Sequence, residues 1–323
     1  MRDALCTTDG GVGLATDLAV LSLLAISAWL VLRSGRISLG QQAFFAIGAY
    51  AAAIATTLMD WPLAPALLAA AALGAAASAL VAGAMSRLSG LHYAVATLAF
   101  AELVRLGLSA WHWRVPADDG SQVGPDGVHG FRDIRWLLAN GVTPEQFALM
   151  ALTVLAVVTL ALALLMRTRF GLGLQAVGLD DTLADTSGWP AARLRVAAAA
   201  MAGALAALGG GLYAHRTTFI DPAVFDPMLG VHAVGYALIG GLASVAGPLL
   251  GTALDLGLLE ATRWFEGWRM VVFGGLVALF LRWRPRGLLD EATLAALRAL
   301  PWRRTASPAA TDRRSSFTTR THP

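Results

Sequence analysis

Apolar runs of membrane-spanning length recur along the chain, separated by short stretches where arginine, aspartate, glycine or proline collect. A helix needs about 20 largely apolar residues to cross the hydrocarbon core of a bilayer. On that measure the runs predict about nine spans, with eight to ten as the range the length allows. They cover 13–32, 37–58, 63–85, 92–113, 145–166, 193–214, 228–246, 249–265 and 269–283. The expectation is an all-α, polytopic membrane domain over 1–283, followed by a tail over 284–323. In that tail "DEATLAALRAL" reads as one short helix, and the Ser/Thr/Arg/Pro mixture beyond residue 303 reads as disordered.

Two stretches fit this pattern badly. "SGRISLGQQAFFAIGAYAAA" (34–53) opens with a charge and carries Gly40, Gln41 and Gln42 where lipid disfavours them, then turns apolar. "GGLASVAGPLLG" (240–251) holds Gly240, Gly241, Gly247 and Gly251 and no charge, so it reads equally as a turn between two spans or as a helix broken within the bilayer. Its GxxxG, Gly247 and Gly251, is of the kind that lets helices approach closely. "FAIGAY" (45–50) is loosely echoed by "HAVGYALIGG" (232–241), as an inverted repeat would arrange.

Charge then orients the spans. Arg33, Arg36, Arg87, Arg167, Arg169, Arg193 and Arg195 lie in one alternating set of connections, and the tail has eight arginines against three acids. Asp60, Asp118, Asp119, Asp126, Asp133, Asp221 and Asp226 lie in the other set. Arginine-rich connections stay in the cytoplasm. The expected topology is an N-terminus outside, a C-terminus inside and multiple passes through the membrane.

Composition agrees. The chain is 57% hydrophobic and 14% charged, with a mean hydropathy of +0.63, against roughly 45–50% and 25% for soluble domains. The net charge of +3 belongs to arginines between apolar runs and in the tail, so it reads as membrane orientation and not as a nucleic-acid surface. Every cationic residue is arginine. A phosphate-binding P-loop requires a lysine, so this chain cannot bind ATP that way. The one cysteine, Cys6, excludes a disulfide framework, no histidine spacing suggests a metal, and no nucleophile elbow is present.

Polar groups inside spans are expensive and usually face a cavity or another helix. Glu102 and Arg105 lie three residues apart on one face of the fourth span, either lining a path or tying helices together. Gln41, Gln42, Asp255 and Glu260 invite the same two readings. The 167–195 connection is longer than a turn and amphipathic. Asp180, Asp181 and Asp185 share one helical side, and Leu179, Leu183 and Trp189 offer an apolar contact surface to a soluble partner.

"GRISLGQQAFFAIGAYAAA", "HYAVATLAFAELVRL" (92–106), "GGLYAHRTTFIDPAVF" (210–225), "VGYALIGGLASVAGPLLGTAL" (234–254) and "RPRGLL" (284–289) resemble, in the same order, permeases of the branched-chain amino acid ABC importers, closest to the LivM subunit type. The resemblance implies an ABC type II-like import permease without catalysis of its own. It would pair with a second permease subunit, dock two cytoplasmic ATPase subunits that bind the ATP, and accept solute from a periplasmic binding protein. It also implies that Gly40 and Gly48 permit close packing around 37–50, with the glutamines turned from lipid.

"QAVGLDDTLADTSGW" (175–189) aligns with the family's ATPase-coupling loop, which commonly reads like "RAIRENEIAAEAMGI". Ala176, Ala184 and Gly188 match, and Asp181 and Asp185 keep acids. Gln175, Gly178 and Leu179 replace the usual charged residues. The competing readings are an ion-coupled secondary transporter using Glu102, Asp255 or Glu260, and an ABC permease for sugars or nucleosides.

Overall fold

The computed structural model describes residues 2–116 and 122–261, with positions 271, 274, 275, 278 and 282. The expected ninth span is therefore described only at isolated positions, and the tail lies outside the described residues. The helices are α1 (Arg2–Arg33), α2 (Gln41–Thr57), α3 (Leu63–Ala84), α4 (Gly90–Ala110), α5 (Trp136–Ala139), α6 (Pro144–Leu165), α7 (Arg169–Leu179), α8 (Asp181–Thr186), α9 (Ala191–Thr217), α10 (Pro227–Gly240) and α11 (Ala246–Ala261). A two-residue ribbon pairs Val115–Pro116 with Gln122–Val123 antiparallel. The fold is all-α and polytopic.

Among the described residues, five helices are long and apolar enough to cross a membrane: Gly10–Arg33 within α1, and α3, α4, α6 and α9. Their starts follow local chemistry. At α6, Thr143 and Gln146 form a capping box and Pro144 takes the first helical position, where its missing N–H costs nothing.

Two expected spans take another form. Residues 36–40 are non-helical, and α2 begins only at Gln41, running 17 residues, about 25 Å. Non-helical backbone at membrane depth persists only where protein surrounds it. Here the Leu39 N–H donates to Thr97 Oγ1 at 3.1 Å, and nearly every residue of α2 is buried. Helix α10 has 14 residues, shorter than the ~30 Å core requires, and α11 is described as far as Ala261.

The 240–251 stretch resolves into a tight turn. Helix α10 ends at Gly240, Gly241 takes a left-handed φ of 100°, and α11 returns against α10. A Cβ on Gly240 would collide with the Gly247 carbonyl, and one on Gly251 with the Tyr236 carbonyl.

Helix α9 packs against α1, α2 and α3. Close approach is set by small residues: a Cβ at Gly48 would collide with the Ala207 carbonyl, and one at Gly210 with the Phe45 carbonyl. Trp29, Phe45, Phe225, Leu23 and Leu212 fill the interior. Helices α3, α4 and α6 lie at the periphery with largely exposed faces.

Candidate functional site

Arginine side chains gather four connections at one end of the bundle. Arg33 Nη1 donates to the Leu242 carbonyl in the α10–α11 turn at 2.7 Å, and Nη2 to Gln175 Oε1 on α7 at 3.2 Å. Arg195, on α9, donates to the Ser34 carbonyl at 3.3 Å and to Asp181 Oδ2 at 2.8 Å. Arg36 donates to the Ser86 carbonyl between α3 and α4 at 2.6 Å and lies over the Tyr93 ring. The end that the sequence marks by arginine is thus a connected hydrogen-bonded layer.

The 175–189 segment sits on this layer as two helices. Gly178 meets the α1–α2 turn backbone to backbone: its Cβ would collide with the Arg33 carbonyl, while Gly35, at φ +79°, faces Gly178 in return. A larger residue would lift α7 off α1. Asp180 caps α8 through the Thr182 and Leu183 N–H groups, and Asp185 Oδ1 accepts the Ala191 N–H at the start of α9. Ala184 is buried with Val177 and Ala191, and its carbonyl accepts the Trp189 N–H. Ala176 lies beside this cluster, and Gly188 takes φ +87° where the chain turns into α9.

Part of the expected contact surface is internal. Trp189 packs inward against Gly173, so it is not on the outer face. Leu179 and Leu183 do face outward, 83% and 65% exposed, and Leu172 is exposed as well. The acids mainly organise the segment itself. The hydrogen bond from Arg195 holds the Asp181 carboxyl below the usual carboxylate range.

A second polar group lies at membrane depth. Ser27 Oγ on α1 donates to Gln41 Oε1 at 3.3 Å. Gln42 is 1% exposed, and neither amide atom has a hydrogen-bond partner. Its side chain lies against Gly230 in the first turn of α10. Glu102 and Arg105 form a two-point ion pair on α4, with Arg105 Nε 2.9 Å from Glu102 Oε2. Gly40 packs on the Thr97 carbonyl. Asp255 on α11 accepts from Tyr236 Oη at 2.8 Å, while the Glu260 side chain falls outside the described residues.

The opposite end is also organised. Phe131 and Ile220 exchange backbone hydrogen bonds of 2.8 and 2.9 Å, tying the 111–143 connection to the 218–226 connection. The ion pair from Arg114 keeps the Asp126 carboxyl low, and a cleft of about 380 Å³ opens between Arg114, His129 and Arg132. Gly124, Gly127 and Gly130 all adopt positive φ, which accounts for glycine in "GPDGVHG". Arg216 grips Asp17 through hydrogen bonds of 2.6 and 2.7 Å, and buried His215 bonds the Gly211 carbonyl and Thr56 Oγ1. Both pairings join residues far apart in sequence, and no local pattern announces them. Among the described residues there is no cluster of metal-ligating side chains.

Spanning helices around short buried ones, polar groups in the interior and a braced apolar segment at one end have the make-up of a multi-pass membrane transport protein. Residues 11–281 match the family described as "Branched-chain amino acid transport system / permease component", and the chain belongs to that family. It is 27% identical over 297 residues to the high-affinity branched-chain amino acid transport system permease protein LivM of Salmonella typhimurium strain LT2, covering 87% of this chain and 70% of that one. It is 28% identical over 294 residues to LivM of Escherichia coli strain K12, covering 84% and 69%. No solved structure gives a significant match. The chain is an ABC importer permease subunit.

Proposed function

We propose that this subunit carries branched-chain amino acids or close analogues across a bacterial inner membrane, without catalysis of its own. It pairs with a second permease, is driven by two ATPase subunits docked on α7–α8, and receives solute from a binding protein at the opposite end. The N-terminus lies outside and the arginine-rich end in the cytoplasm. The LivM names of its relatives support the substrate class.

One observation carries the docking assignment. Leu179 and Leu183 are apolar and exposed on a segment braced by arginines to the α1–α2 and α10–α11 connections. Exposed leucines on a braced cytoplasmic element present a hydrophobic contact that a soluble partner covers. Force on α7–α8 reaches α1, α2 and the α10–α11 turn through Arg33 and Arg195. In the alternative, ion-coupled scheme a carboxylate must release and rebind a cation, yet Glu102 is held by Arg105 and Asp255 by Tyr236.

The test is Leu179→Asp with Leu183→Asp in the assembled transporter. Copurification of the ATPase subunits and ATP-driven uptake should both fall at least several-fold. Unchanged copurification would remove this surface from the docking site.

A further inference from the structure

Helices α2 and α10 both follow irregular segments, and both are too short to span. Their first turns meet: Gln42 lies against Gly230. The meeting point is inside the bilayer. Gly40 packs on Thr97, seven residues into α4, which places it about 10 Å from the arginine-rich end of that helix. Phe44 and Phe100 continue the register of α2 beside α4, with ring centroids 5.7 Å apart. Asp226, the N-cap of α10, lies one turn before Gly230. Two helix N-termini, the Gln42 amide and the Asp226 carboxylate therefore share one corner between α2, α4 and α10.

We propose that this corner is the transit site for a small zwitterionic amino acid, which rests on the permease reading above. Helix N-termini carry partial positive charge and unsatisfied N–H groups, and broken helices that present such ends within a membrane favour anionic groups. Helix α2 has no side-chain cap, so its first-turn N–H groups have no side-chain partner and can meet a carboxylate when α10 moves. Asp226, the N-cap of α10, provides the opposite charge for the ammonium. Its carboxylate offsets the partial positive charges of the two helix N-termini, as suits a zwitterion. In this conformation the first turn of α10 closes over the Gln42 amide, and substrate enters when α10 moves.

The Gln42 amide is the independent observation. A buried amide without partners costs about 1–3 kcal/mol, and an apolar residue of similar size removes that cost. A position that keeps glutamine under this penalty has a partner in another state of the transport cycle.

The test uses the complete transporter in proteoliposomes, with L-leucine as the probe and wild-type ATP-driven uptake as the reference. Gln42→Leu should reduce the maximal uptake rate at least tenfold while the complex melts at the same or a higher temperature. The half-saturating leucine concentration, set on the binding protein, should not move. Uptake within twofold of wild type would overturn the assignment, and so would a joint fall of uptake and melting temperature, which would mark the amide as a structural contact. In a second arm, Asp226→Asn, which keeps a side-chain cap for α10 but removes the charge, should reduce uptake at least several-fold, and Asp226→Glu should retain a substantial part. A Glu variant as inactive as the Asn variant, or an Asn variant as active as wild type, would contradict the proposal. A wild-type complex that takes up nothing with ATP would instead refute the permease reading.

Discussion

Gly48 and Gly210 face the carbonyls of Ala207 and Phe45 across the α2–α9 contact, with no room for a methyl group on either. Forcing extra atoms into a packed interior costs about 1–3 kcal/mol. Gly48→Ala or Gly210→Ala should therefore lower the melting temperature of the purified protein, and an unchanged melting curve would contradict this close packing. Tyr236 and Asp255 are a further case. Their hydrogen bond satisfies a buried carboxylate, so Tyr236→Phe should destabilise the α10–α11 pair by roughly 1–3 kcal/mol. Thermal denaturation followed by tryptophan fluorescence would measure it. Gly48 was legible in sequence as a packing glycine through the family resemblance. Gly210 was hidden in "GGGLYA", where nothing distinguishes the glycine that meets a backbone from its neighbours. Asp180 and Asp185 read as surface charge, but capping geometry depends on where helices end, which hydropathy does not locate to the residue.

Spans that face lipid were the easiest elements to find. The run expected over 63–85 is the helix Leu63–Ala84, and that over 145–166 is Pro144–Leu165, because a lipid-facing helix must be apolar along its whole length. Helix α2 is surrounded by protein, so its length answers to packing and not to bilayer thickness. The segment entering α2 is held by the Thr97 hydroxyl from α4, 58 residues away, and no window of local sequence contains that interaction.

The α7–α8 element gives two expectations. Arg33→Gln removes the link from Gln175 to the Leu242 carbonyl, so ATP hydrolysis by the assembled complex should continue while leucine uptake falls roughly tenfold, the scale of a typical coupling energy. Equal loss of both activities would mean that the link serves assembly alone. The Arg195–Asp181 tie has a defined pH window. Because the folded carboxyl titrates below its unfolded value of about 3.9, the tie contributes stability above about pH 4 and loses it as pH falls through the depressed value. Hydrogen exchange across 180–190, corrected for intrinsic rates, should be flat from pH 5 to 8 and rise only below about pH 4. A step within the neutral range would show that another group controls the segment.

At the scale of the molecule, the arginine-rich connections share one end and the aspartate-bearing ones the other, as alternating loop charge anticipated. The family was legible from motifs that run in order from residue 35 to 289. The interior corner at Gln42 was not, because its members come from three separate helices. The central claim is that the chain is a gate moved by a separate nucleotide-hydrolysing partner. Reconstituting it with and without its second permease and ATPase subunits, and following leucine accumulation in vesicles loaded with ATP or energised by an ion gradient, tests this most directly. Accumulation is predicted only in the complete assembly with ATP; uphill uptake by the chain alone under an ion gradient would contradict the account.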